Sequence, residues 1–134
     1  MNSTAEKVNI LIVDDNISLL KTLSLILLRK GYQVTLASNG MEAVEMSRTT
    51  AFNLIFTDVK MPDVDGVETF RRIRRYRPDA CIVMMTAYAV DELIKQALAE
   101  GAYGVINKPL DMEKVISLIE KTRTGCPKGS ILVI

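Results

Sequence analysis

Asp14 and Asp15 are adjacent, Asp58 closes an apolar run, and Thr86 and Lys108 each close a later run of the same kind. Carboxylates, a hydroxyl and an ammonium group together suit a phosphoryl group: the lysine offsets its charge and the threonine hydroxyl donates to one of its oxygens. Three carboxylates gathered in one place repel, by roughly 4 kcal/mol for a pair ~4 Å apart at an effective dielectric near 20. Proton uptake offsets that repulsion, and so does a cation. An all-oxygen site of carboxylates and a backbone carbonyl suits Mg2+, with Mn2+ as a substitute, whereas calcium asks for more ligands. Asp58 stands alone at its run's end and is the natural nucleophile toward phosphorus, forming an acyl phosphate. The neighbouring Asp14 and Asp15 are better placed to share the metal. The sequence contains no histidine, which removes Ser-His-Asp and Cys-His nucleophilic mechanisms and histidine-ligated zinc or iron.

Elements that would bring these residues together follow from the apolar pattern. Val8 to Val13 is short, apolar and β-branched and stops at Asp14-Asp15, as a strand buried on both faces does. Leu19, Leu20, Leu23, Ile26 and Leu27 recur at helical spacing between Ile17 and Arg29, and Gly31 ends the helix. Tyr32 to Ala37 reads as a strand, Ser38-Asn39-Gly40 as a turn, and Met41 to Arg48 as a weaker helix. Asn53 to Thr57 is a third strand ending at Asp58, followed by a loop from Lys60 to Gly66 and a helix through Phe70 and Ile73. Ala80 to Met85 ends at Thr86; a helix runs from about Asp91 to Glu100 and stops at Gly101. Tyr103 to Asn107 ends at Lys108-Pro109, and Met112 to Arg123 is the last helix. Five strands alternating with five helices require right-handed crossovers and a parallel sheet covered on both faces. The common solution is an α/β, flavodoxin-like doubly wound sheet in the order 2-1-3-4-5, whose ligands bind at the carboxyl ends of the strands. Four of the five strands end in Asp, Thr or Lys, so convergence on that edge explains the pattern.

The chain has 134 residues, 49% hydrophobic and 25% charged, enough for one domain with a real core. Its 17 basic and 16 acidic residues balance to a net charge of +1, which gives no global electrostatic case for nucleic acid or membrane. Arg71, Arg72, Arg74, Arg75 and Arg77 form a basic helix face that reads as solvated rather than as a nucleic-acid surface. No apolar stretch approaches the ~20 residues that span a bilayer, and Met1 to Lys7 is too polar for a signal peptide. Cys81 and Cys126 lack metal-ligand spacing and read as free thiols. A cytoplasmic location is the expectation.

Asp14-Asp15 after Ile10-Leu11-Ile12-Val13, Asp58 with Met61-Pro62 and Asp65-Gly66, Thr86-Ala87, Gly101-Ala102 and Lys108-Pro109 together resemble the receiver domain family of response regulators. The match covers residues 8–123, and the joint order of the motifs is far more specific than any one of them. The resemblance implies that Asp58 accepts a phosphoryl group from a phosphohistidine on a histidine kinase or phosphotransfer protein. It implies that Asp14, Asp15, Asp58 and the Lys60 backbone carbonyl surround magnesium. Thr86, Ala87 and Lys108 then contact the phosphoryl group or switch with it, and the peptide before Pro109 is cis. The signal leaves as a conformational change to a downstream effector not identified by the sequence, and a phosphorylation-dependent dimer is within the family's repertoire. Apart from its own phosphorylation and dephosphorylation, such a domain is not an enzyme. One position departs from the family pattern: the switch aromatic three residues before the lysine is Val105. Tyr103, read as sharing its strand face, and Tyr88 are the alternatives for a related role.

Two rival classes are distinguishable. A phosphohydrolase of the haloacid dehalogenase type needs an acid two residues after its nucleophile, where this chain has Lys60 after Asp58 and Asn16 after Asp14. A receiver-like docking module that is never phosphorylated has no use for the full acid, threonine and lysine set. Residues 124–134 read as a linker or the start of a following domain, since Ile131-Leu132-Val133-Ile134 is similar to the first strand; a packed tail is the alternative. Gly66 and Gly101 read as turn or helix-end residues that tolerate positive φ.

Overall fold

The computed structural model describes residues 7–87 and 92–128 and the backbone of residues 132–133. Along the chain run β1 (Asn9–Val13), α1 (Ile17–Arg29), β2 (Gln33–Ala37), α2 (Gly40–Thr49), β3 (Leu54–Asp58) and α3 (Gly66–Tyr76). They are followed by β4 (Ile82–Thr86), α4 (Glu92–Ala99), β5 (Gly104–Asn107), α5 (Met112–Lys121) and β6 (Leu132–Val133). All strand pairs are parallel, in the order β2-β1-β3-β4-β5-β6. The expected order 2-1-3-4-5 is present, and a sixth short strand extends it.

Period-two alternation divides the strand side chains between two cores. Ile10 and Ile12 of β1, Phe56 of β3 and Val83 and Met85 of β4 pack with Leu20, Leu23 and Leu27 of α1 and Val115, Leu118 and Ile119 of α5. Leu11 and Val13, Ile55, Ile82 and Met84 pack on the other face with Val44 of α2, Val67, Phe70 and Ile73 of α3 and Ile94 of α4. Both strand faces are apolar because both are covered. Each fully buried Leu, Ile or Phe side chain contributes about 1.5–3 kcal/mol of transfer free energy.

Side-chain caps fix where four helices begin. Asn16 accepts the Leu19 N–H at 3.1 Å, Asn39 the Glu42 N–H at 2.8 Å, Asp65 the Glu68 N–H at 2.8 Å and Asp111 the Glu113 N–H at 2.9 Å. Gly101 has φ +103°, the left-handed conformation expected after α4. Asp91, the expected start of α4, lies outside the described residues, as do Tyr88, Ile131 and Ile134.

Two sequence expectations are corrected. Cys81 and Cys126 are not free thiols: they form a disulfide with Cα atoms 5.3 Å apart at a sequence separation of 45. A crossover helix runs antiparallel to the strands, so α5 returns the chain to the edge where strands begin, and Cys126 meets Cys81 just before β4. Spacing along the sequence carries no trace of that return. Tyr103 and Val105 do not share a face either. Tyr103 packs on the α1/α5 side with Ile106, whereas Val105 packs on the α2/α3/α4 side with Ala102. Tyr103 precedes the first β5 residue, Gly104, so strand alternation does not extend to it.

The basic face of α3 is engaged within the molecule. Arg71 forms a two-pronged pair with Glu100 at 2.7 and 2.6 Å, tying α3 to the end of α4. Arg74 donates to the carbonyls of Ala80 and Gly101, and Arg77 to that of Ser47. Among the described residues, no helix is long and apolar enough to cross a membrane.

Candidate functional site

The carboxyl ends of the four central strands β1, β3, β4 and β5 deliver the side chains. Asp14 directly follows β1, Asp58 is the last residue of β3, Thr86 the last of β4, and Lys108 directly follows β5. Register places Asp58 beside Met85 and Thr86 beside Asn107, so Thr86 stands one residue beyond the level of Asp58 on the adjacent strand. The Lys108 N–H donates to the Thr86 carbonyl at 2.8 Å, which locks the ends of β4 and β5 together. The peptide joining Lys108 to Pro109 is cis.

Asp14, Asp15 and Asp58 each offer a carboxylate oxygen, and these atoms lie within 4.8 Å of one another. Lys108 Nζ donates to Asp14 Oδ2 at 2.7 Å and lies 3.3 Å from Asp58 Oδ1. The Asp14 side chain is 1% exposed, that of Asp58 14% and that of Lys108 24%, while Asp15 is open to solvent. Asp14 is held from both sides, because its other oxygen accepts the Asn16 N–H at 2.9 Å. Asp58 Oδ1 accepts the Val59 N–H at 2.9 Å.

Burial pushes the Asp58 carboxyl above the usual carboxylate range, the Asp14 charge pushes it further, and Lys108 partly opposes both. For Lys108, burial works against the charged form, yet the hydrogen bond and charge of Asp14, with Asp58 behind, hold its ammonium above the ordinary lysine value. Lys108 faces two of the three carboxylates, Asp14 and Asp58, and its single positive charge does not balance three ionised carboxylates. Hard oxygen donors, close spacing and unneutralised charge fit a divalent cation.

The loop beside Asp58 is held by contacts that the sequence does not announce. The Gly66 N–H donates to the Val59 carbonyl at 2.7 Å, and a Cβ on Gly66 would collide with the Asp58 carbonyl oxygen. Gly66 is therefore required for close approach, not for the positive φ expected of it. Asp63 reaches across to α2 and accepts the N–H groups of Gly40 at 3.2 Å and Met41 at 3.0 Å. Burial works against its charge, but the N–H groups of Met41, Val64 and Gly40 hold its carboxyl below the usual range. A partner 23 residues away leaves no local signature, so this anchor is invisible to spacing arguments. Lys60 lies in the same loop, exposed, two residues past Asp58, and Ala87 is exposed just past Thr86. Val105 is 1% exposed and sits in β5 below Lys108.

A family model described as the response regulator receiver domain matches residues 10–120, and the chain belongs to that family. The transcriptional regulatory protein ZraR of Klebsiella oxytoca is 39% identical over 112 residues, covering 84% of this chain and 25% of the relative. The chain thus spans about a quarter of the length of the ZraR regulators it matches. The chemotaxis protein CheY of Treponema pallidum is 34% identical over 113 residues, covering 82% of this chain and 78% of the relative. Among solved structures, the receiver domain of the sensor histidine kinase PA1611 from Pseudomonas aeruginosa PAO1 superposes with a TM-score of 0.79. That likeness, at 25% identity, covers 87% of this chain and 97% of the other, which holds a magnesium ion coordinated in its active site cleft. Phosphoryl acceptance within two-component signalling is the role of this family.

Proposed function

We propose that Asp58 is the residue phosphorylated, that Asp14, Asp15, Asp58 and the Lys60 carbonyl hold Mg2+, and that Thr86, Ala87 and Lys108 contact the phosphoryl group. The observation that carries this reading is the position of Lys108 Nζ, 2.7 Å from Asp14 and 3.3 Å from Asp58 at the mouth of a three-carboxylate cluster. A single cation already faces both the metal-side acid and the nucleophile.

An unprotonated Asp58 oxygen attacks the phosphorus of a phosphohistidine; a P–O bond forms as the P–N bond breaks, and the departing imidazole takes up a proton. Lys108 is within reach of the reacting carboxylate, so its charge meets the phosphoryl oxygens without a large rearrangement. Bound magnesium supplies further neutralisation of charge on those oxygens. With no histidine in the chain, the donor is a separate histidine kinase or phosphotransfer segment. Beyond its own phosphorylation and dephosphorylation, the domain turns over no substrate.

Val105 fills the position at which the family pattern has a switch aromatic, and a buried valine has no ring to swing. The response to phosphorylation therefore runs through Thr86 and the segment after it, biasing an equilibrium that an effector or a second copy reads. Intact mass after incubation with acetyl phosphate, with and without magnesium, tests the reading. The expected result is an alkali-labile phosphoryl adduct that requires magnesium and is lost in Asp58→Asn. No adduct under any condition would sink it.

A further inference from the structure

Far from the acidic site, Cys81 and Cys126 are joined by a disulfide, a bond that thiol–disulfide exchange can open and close. Cys81 is 2% exposed, at the lip of the α1/α5 core, whereas Cys126 is half-buried and packs against that core from the segment after α5. An open hollow of about 650 Å³ adjoins Cys126, lined also by Arg74, Tyr103, Pro127 and Lys128. Six positions beyond Cys126, Leu132 and Val133 pair with Gly104 and Val105 on the outer edge of β5. A two-residue strand has too few hydrogen bonds to hold a sheet edge by itself, so its docking depends on whatever keeps the preceding chain close.

We propose that Cys81 and Cys126 form a reversible redox site, open to a low-molecular-mass disulfide carrying carboxylates, whose closure holds β6 on β5. Access through the hollow makes Cys126 the attacking residue, and the cations of Arg74 and Lys128 outnumber the one carboxylate lining it, Asp79, which favours an anionic reagent. The Cys126 thiolate attacks one sulfur of the oxidant RSSR, whose S–S bond breaks and releases one RS⁻. The Cys81 thiolate then displaces the second RS⁻ from the mixed disulfide, forming the Cys81–Cys126 bond. The two RS⁻ take up the two protons given by the protein thiols, so two thiols are oxidised and one disulfide is reduced. Two equivalents of a small thiol reverse the sequence. Once the bond opens, Cys126 is no longer pinned beside β4, β6 leaves, and the N–H and C=O groups along the β5 edge become available to another strand.

Oxidised glutathione is the probe, applied to the full chain after reduction, with thiol alkylation and intact mass as the first readout. Both thiols should become protected from alkylation without retaining a glutathione adduct. Hydrogen exchange is the second readout: peptides covering residues 104–107 and 132–133 should exchange roughly tenfold faster in the reduced chain, with β1 and β3 unaffected. Cys126→Ser should show the fast pattern under oxidising conditions, and because Cys126 is only half-buried this variant is expected to fold. Thiols that stay open to alkylation, or a glutathione adduct on Cys126 that never resolves, would overturn the proposal. So would a disulfide that forms while exchange at the β5 edge stays the same; both of these tests need only the unmodified chain.

Discussion

Asp58 sits where its charge is least welcome, half-buried at the end of a strand and a few ångströms from Asp14, and that discomfort has a thermodynamic signature. Its carboxyl is pushed up from the ordinary 3.8, first by burial and then by the Asp14 charge. A raised carboxyl means that the folded state holds its proton more tightly than the unfolded chain. Stability contributed by that proton is fully present below the unfolded value and is lost as pH climbs through the raised folded value. At neutral pH without magnesium, Asp58→Asn should therefore melt higher than the unmodified chain, by about 3 °C or more, with the gap narrowing as pH falls through the raised folded value and closed below the ordinary 3.8. Magnesium should narrow the same gap by stabilising only the chain that retains Asp58, by about 2.7 kcal/mol at a hundredfold excess over its Kd. Equal melting at every pH, with and without the ion, would remove the argument that these carboxylates repel. Lys108 makes the converse case. It lowers the Asp58 carboxyl from 3.3 Å away, so Lys108→Met should move the Asp58 titration, followed by its side-chain carboxyl carbon resonance, to higher pH.

At the scale of elements, the carboxyl ends of β3 and the start of α3 form one unit because Gly66 lies against the Asp58 backbone. Gly66→Ala places a methyl group where the Asp58 carbonyl oxygen stands, with the Val59 Cα close behind. Backbone atoms cannot step aside as a flexible side chain would, so α3 must shift outward, at about 1–3 kcal/mol. The phosphorylation rate should fall in that variant even where the chain remains folded, and a normal rate would show that the loop position is immaterial. Most of this architecture was readable in advance. The period of Leu20, Leu23 and Leu27 marks α1, and the strand-end placement of Asp14, Asp58, Thr86 and Lys108 marks the site. What escaped were features set by tertiary proximity: Asp63 on the α2 N-terminus, the collision space at Gly66, the pairing of Arg71 with Glu100, and the meeting of Cys81 with Cys126. Tyr103 escaped for a local reason, since period-two alternation was extended one residue beyond the start of β5.

On the scale of the whole molecule, the acidic site and the disulfide occupy opposite edges of one sheet, and the two should respond independently. The Cys81–Cys126 bond closes a loop 45 positions long that contains β4, α4, β5 and α5, the elements that follow α3 up to the end of α5. Treated as a restraint on the unfolded chain, a loop of that size contributes about 4 kcal/mol. For a domain of this length such a loss lowers Tm by roughly 10–15 °C. Reduction with dithiothreitol should therefore shift the melting transition downward by that order while leaving it cooperative, because the two apolar cores persist on either side of the sheet. Asp58 and Lys108 approach each other through the carboxyl ends of β3 and β5, held by the ladder and by the Lys108 N–H on the Thr86 carbonyl. The ladder meets Cys81 only through its backbone, whose carbonyl accepts the Ile55 N–H at 2.9 Å at the opposite end of β3 from Asp58, and not through its sulfur. Magnesium-dependent phosphorylation should then continue in the reduced chain at temperatures below its lowered transition. If reduction abolished phosphorylation while the chain stayed folded, the two edges would be coupled through β4, the strand that begins beside Cys81 and ends at Thr86.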